Sequence, residues 1–196
     1  MKIAIYGASS GRIDEKYIKA VEKFGELCAK RNHSLIFGGG SSGIMGAAAR
    51  GFKKANGYVH GFVPTFFFDC GYKAIFYDAD KITKPETMAE RKTMMENECD
   101  AFVIAPGGVG TFEEFFETVT LKQLGRHNKP IVLFNVDGFY DELSNFMQNV
   151  LQKNFVSDAT LKLYKTLDNG EEILEYIENY NEPPMSWDDL KIGNQK

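Results

Sequence analysis

One stretch combines residue types and spacing that could do chemistry: Pro106-Gly107-Gly108-Val109-Gly110-Thr111-Phe112-Glu113-Glu114. The apolar run over 100–105 before it reads as a buried strand. The run after it, with Phe112, Phe115 and Phe116 at i, i+3 and i+4, reads as a helix. Three glycines in four positions therefore sit in a strand-to-helix turn, where backbone N–H groups can come within hydrogen-bond distance of a ligand. The helix that follows adds the positive end of its dipole and its unpaired amides, so a phosphate is the natural occupant. This is not the P-loop signature, since no lysine follows Gly110. A second reading of the same residues is a capping box, with Thr111 as N-cap and Glu114 as the N3 partner. The two readings are compatible, because a cap fixes a glutamate without excluding it from a pocket.

Two further places carry candidate chemistry. Gly38-Gly39-Gly40-Ser41-Ser42-Gly43 fits Gly-x-Gly-x-x-Gly between a strand and a helix. The strand after it, over 58–63, ends in Pro64-Thr65 and supplies no acid for a ribose. That argues against NAD or FAD and for close backbone packing or contact with a mononucleotide, which makes Gly39 and Gly40 candidate ligand contacts. Arg91 falls between Met88 and Met94 on the apolar side of its helix. It either lies flat at the edge of that face or reaches an anion in a cleft, because burying it unpaired is costly. His33, His60 and His127 are scattered without metal-ligand spacing, no serine nucleophile elbow occurs, and no metal site is expected.

The elements that must position these residues follow from the hydropathy pattern. Strands are expected over 3–6, 34–37, 58–63, 100–105 and 130–135, with weaker ones near 74–77 and 161–167. Helices are expected over 14–31, 44–55, 85–98 (opened by Pro85), from Phe112 to about 125, 140–153 and 171–180. On the 140–153 helix, Leu143, Phe146, Met147, Val150 and Leu151 share one face. The stretch over 65–72, with Phe66, Phe67 and Phe68, reads as core or subunit interface. Regular alternation with short turns implies a mostly parallel sheet in a three-layer α/β/α, Rossmann-like sandwich. The domain is expected over 1–180, followed by a tail over 181–196 that Trp187 could anchor. In such folds ligands bind at the carboxyl ends of the strands, where the turns after Tyr6, Phe37 and Ala105 all lie.

Composition limits the partners. At 196 residues with 43% hydrophobic content the chain can bury a full core, and a net charge of −4 gives no field for nucleic acid or anionic membrane. Cys28, Cys70 and Cys99 show no paired spacing, which suits a reducing cytoplasm. No apolar run reaches membrane-spanning length, and the first one, ending at Gly7, is too short for a signal-peptide core.

Taken together, Gly38-Gly39-Gly40-Ser41-Ser42-Gly43-Ile44-Met45-Gly46, Arg91-Lys92 and the 106–114 stretch resemble the LOG ("Lonely Guy") family. The family pattern Pro-Gly-Gly-x-Gly-Thr-x-x-Glu is met at every fixed position, and the likeness spans nearly the whole chain; the segment over 65–84 fits least. The resemblance implies a cytokinin riboside 5′-monophosphate phosphoribohydrolase, a hydrolase that splits the N-glycosidic bond of adenosine 5′-monophosphate or an N6-modified form. It implies Arg91 and Glu114 as the catalytic pair. It also implies a 5′-phosphate held by Gly107, Gly108, Val109, Gly110 and Thr111, with Lys92 and Thr120 as substrate contacts. It further implies a homodimer and no cofactor. Members are often labelled lysine decarboxylases, but nothing marks the pyridoxal phosphate lysine that such chemistry needs. A rival of another class is a non-catalytic nucleotide-binding or molybdenum-cofactor-binding protein of the same fold, which would not need Arg91 and Glu114 together.

Overall fold

A computed structural model describes residues 1–71 and 73–184. Trp187, Tyr72 and most of the expected tail lie outside the described residues. Seven parallel strands form one sheet: β1 (Lys2–Tyr6), β2 (Ser34–Phe37), β3 (Val59–Phe62), β4 (Lys81–Thr83), β5 (Ala101–Ile104), β6 (Ile131–Phe134) and β7 (Lys165–Leu167). Their spatial order is β4-β3-β2-β1-β5-β6-β7. The chain winds outward from β1 to β4, crosses back to β5 and winds outward the other way. The loops after β1 and β5 therefore part at a topological switch point.

Period-two alternation assigns the faces. Ile3 and Ile5 point to a core shared with α1 (Glu15–Lys30), α2 (Gly43–Lys54) and α8 (Gly170–Glu178) through Val21, Phe24, Phe52, Ile173 and Leu174. Ala4 and Tyr6 point to the opposite core, filled by Met95 of α4 (Met88–Glu98) and by Phe115 and Val119 of α5 (Val109–Gln123). A fully buried phenylalanine contributes about 1.5–3 kcal/mol, so Phe37, Phe52, Phe102 and Phe115 dominate the two layers. Helices α1 and α2 approach closely because small residues meet there. A Cβ on Gly51 would stand 2.1 Å from the Glu22 carbonyl oxygen. Among the described residues the remaining α-helices are α3 (Thr65–Asp69), α6 (Asp141–Gln152) and α7 (Asp158–Leu161), and a 3-10 turn covers Val136–Gly138. No helix among the described residues is long and apolar enough to cross a membrane.

The structure corrects several expectations. Residues near 74–77 form no strand: Ile75 makes one antiparallel bridge to Gly40, and the extra strand is β4. Three residues at a sheet edge, led by a lysine, bury too little to leave a hydrophobic signature. Pro85 does not open α4. Thr87 caps it by accepting from the Glu90 N–H, while the Pro85 carbonyl accepts from the Thr65 N–H. The 65–72 stretch begins with α3, and none of its three phenylalanines is buried, so the core reading of Phe66, Phe67 and Phe68 fails. The expected strand over 161–167 divides into α7 and the shorter β7. Of the five apolar residues on α6 only Met147 is buried, and Phe146 is 60% exposed.

Candidate active site

A cleft of about 480 Å³ opens at the carboxyl ends of the central strands. Its floor comes from three loops that one residue ties together. The Ala8 N–H donates to the Pro106 carbonyl at 3.1 Å, and the Ala8 carbonyl accepts from the N–H groups of Ile44 at 2.8 Å and Met45 at 3.3 Å. The second contact decides the dinucleotide question. The Ile44 and Met45 amides in the first turn of α2 are already satisfied by Ala8, and a Cβ on Gly43, at φ +59°, would stand 2.5 Å from the Ala8 and Ser10 oxygens. That helix end is plugged, so the Gly38–Gly43 sequence serves packing and lining rather than pyrophosphate binding. Gly39 and Gly40 both line the cleft.

The N-terminus of α5 is open by contrast. Gly108 is extended at φ −99°, ψ −154° and serves as N-cap, so the helix begins at Val109. Its first internal bond runs from the Phe112 N–H to the Gly108 carbonyl at 3.0 Å. The amides of Val109, Gly110 and Thr111 therefore have no acceptor within the helix. A Cβ on Gly108 or Gly110 would meet nothing within 4 Å, whereas one on Gly107 would stand 2.1 Å from Thr111 Oγ1. Gly107 makes room for the buried Thr111 side chain, and the other two leave the approach clear. The capping-box expectation is corrected here. The glycines already supply the first helical turn, so Thr111 is the third helical residue and Glu114 lies a turn beyond any N-cap contact.

Glu114 instead faces Arg91. Both are buried, at 9% and 8% exposure, and Arg91 Nη2 lies 3.5 Å from Glu114 Oε1. The guanidinium lies against Gly38, where a Cβ would stand 2.0 Å from Nη2. Its Nη1 reaches Met88 Sδ at 3.7 Å, and its buried Nε has no partner. Of the two sequence readings of Arg91, the structure shows the one aimed into a cleft. Burial pushes the Glu114 carboxyl up to about 7; Arg91 and Lys92 oppose that rise while Glu113 and Glu117 reinforce it.

Other expected contacts do not meet here. Lys92 pairs with Glu113 and, at 2.7 Å, with Glu117, and does not line the cleft. Thr120 is exposed about three turns along α5, also outside the cleft. Ser9 and Ser10 also line the cleft, and the Gly/Ser composition of the Gly7-Ala8-Ser9-Ser10-Gly11 turn is the sequence feature that marks them. Met45, Val63, Phe67, Ile75 and Met88 supply an apolar wall that only tertiary placement reveals. The histidines are held in ordinary contacts. His60 bridges Glu98 and Thr83 at 2.9 and 2.8 Å, and burial pulls His127 down to about 4 while its Nε2–H donates to the Thr118 carbonyl. Among the described residues no cluster of His, Cys, Asp or Glu could hold a metal ion.

Residues 45–177 match the family described as "Possible lysine decarboxylase". The chain is 33% identical over 179 residues to cytokinin riboside 5′-monophosphate phosphoribohydrolase LOG2 of Arabidopsis thaliana, covering 91% of this chain and 83% of that protein. It is 32% identical over 191 residues to the probable cytokinin riboside 5′-monophosphate phosphoribohydrolase LOGL5 of Oryza sativa subsp. japonica, covering 97% and 77%. Among solved structures, the molybdenum cofactor carrier protein of Chlamydomonas reinhardtii superposes with a TM-score of 0.69 at 21% identity, covering 90% of this chain and 95% of that one. The last likeness concerns the fold alone. The sequence relatives carry the assignment further: the chain belongs to the LOG family.

Proposed function

We propose that this protein hydrolyses the N-glycosidic bond of adenosine 5′-monophosphate or an N6-modified form, releasing the free base and ribose 5-phosphate. The observation that carries this reading is a buried Arg91–Glu114 pair beside the open amino end of α5. The amides of Val109, Gly110 and Thr111 would receive the 5′-phosphate, a site remote from the bond that breaks. Binding energy gained there can hold the sugar in place. Breaking the C–N bond builds oxocarbenium character on the ribose. Glu114, ionised, stabilises that charge and takes a proton from the attacking water as the water oxygen joins the anomeric carbon and the C–N bond breaks. That proton then passes to the departing base, which returns Glu114 to its ionised form. Arg91 has donors to spare and orients the carboxylate or the sugar. The apolar wall suits the flat base, and a cleft of about 480 Å³ lies within the range of roughly 300–1,000 Å³ usual for small-molecule sites.

A non-catalytic anion carrier of the same fold fits less well. A carrier has no use for a buried Arg91–Glu114 pair, whereas glycosidic hydrolysis uses both members. We also read the chain as at least a homodimer, with exposed Phe66, Phe116 and Leu124 as apolar surface for it. The activity is tested by incubating the protein with AMP and with adenosine and resolving the products by chromatography. Adenine and ribose 5-phosphate from AMP, with adenosine a poor substrate, is the expected result. Equal kcat/KM for the two would remove the phosphate from the α5 end, and binding of AMP without adenine release would favour the carrier.

A further inference from the structure

Lys92 follows Arg91 in the chain but meets a different set of groups. Its side chain is 13% exposed and lies between Glu113 and Glu117, which are one turn apart on α5 and flank Glu114. The Glu117 oxygen it faces, at 2.7 Å, is buried, so Lys92 is the cation that compensates it. Adjacent residues of α4 thus grip α5 at one level, Arg91 on Glu114 and Lys92 on the glutamates either side.

We propose that Lys92 is a positioning residue for the Arg91–Glu114 pair, tying α4 to α5 through Glu113 and Glu117 and neutralising those two carboxylates, and that it does not touch the nucleotide. This rests on the reading of Glu114 as the catalytic carboxylate. The charged and titratable groups facing Glu114 are Arg91 and Lys92 on α4, Glu113 and Glu117 on α5, and the Tyr6 phenol at the end of β1. Glu96, further along α4, faces Glu117. Removing Lys92 takes away one cation that lowers the Glu114 carboxyl and frees two anions that raise it, so all three changes act in one direction.

The test is the pH profile of kcat/KM for AMP. Glu114 acts ionised, so the wild-type acid limb is expected near the value of about 7 that burial gives it. Lys92→Met is expected to move that limb to higher pH by about one unit with little change in KM, and Lys92→Arg to leave it in place. Glu117→Gln in the Lys92→Met background should move it back. Glu117→Gln alone, which keeps Lys92 and covers the case of a poorly folded Met variant, should move the limb to lower pH. A KM raised about tenfold in Lys92→Met with an unmoved limb would make Lys92 a substrate contact and overturn the proposal, as would an unmoved limb in Glu117→Gln. Loss of turnover in Glu114→Gln alongside an unmoved limb would sink this inference alone. Full turnover in Glu114→Gln would sink the functional reading beneath it.

Discussion

At the amino ends of the strands, polar groups are tied off, the buried His33 and Lys122 included. His33 Nε2 meets Glu178 at 2.7 Å, Arg31 spans Glu171 and Glu178, and the Lys122 ammonium donates to the Leu163 carbonyl at 3.0 Å and the Tyr180 hydroxyl at 2.8 Å. At the carboxyl ends the same chemistry is left open. Arg91 Nε has no partner, its contact with Glu114 is 3.5 Å, and three α5 amides face the cleft. Leaving such groups unpaired costs stability, roughly 1–3 kcal/mol for each buried one. A fold that satisfies polar groups at one end and leaves them unmatched at the other has separated what holds it together from what awaits a ligand.

The largest effect that would sharpen this contrast is at Arg91. Arg91→Ala should lower AMP hydrolysis about 10²–10⁴-fold while the thermal melt holds, and adding Glu114→Gln should make it little worse, because the pair acts as a unit. Additive losses would show two independent roles. A smaller effect is expected at Gly38, where a Cβ would collide with the guanidinium rather than with backbone. Gly38→Ala should displace Arg91 and cut kcat by roughly tenfold with folding preserved, the scale at which misplacement acts. Unchanged kcat would show that the seat of Arg91 is unimportant.

The smallest effect is expected at the other end. Lys122→Met should leave AMP hydrolysis unchanged and alter stability at pH 7 by no more than about 1 kcal/mol, since lost hydrogen bonds offset a relieved buried charge. Burial pulls the Lys122 ammonium down to about 8. The unfolded chain therefore holds more protons than the folded one between about pH 8 and the ordinary lysine range. Wild-type stability should rise with pH across that window, and the Met variant should lose the slope. Denaturant titrations at pH 7.5 and 9.5 would measure it, and a clear loss of turnover in Lys122→Met would blur the division between the two ends.

How much of this was legible in the sequence depends on what each element buries. The central strands declare themselves because residues such as Leu35-Ile36-Phe37 are buried on both faces. The edge strand β4 and the short α3 bury little and leave no pattern. The glycine turn and Arg91 could be nominated from residue type, because few residues permit close approach or tolerate burial there. The helix start at Val109 could not, since Thr-x-x-Glu matches a cap signal that the preceding glycines pre-empt. The cleft wall was hidden because Met45, Val63, Ile75 and Met88 come from four separate segments that only the fold assembles. Lys92 shows the remaining limit: adjacency to Arg91 does not reveal that its ammonium turns toward α5.

The most direct test is steady-state AMP hydrolysis beside a thermal melt for wild type and Glu114→Gln. The amide keeps the size of the side chain but can neither take a proton nor stabilise an oxocarbenium ion by charge. Turnover should fall about 10²–10⁴-fold with AMP binding and the melt preserved. Unchanged turnover in a folded Glu114→Gln variant would contradict the assignment of this cleft as the catalytic site.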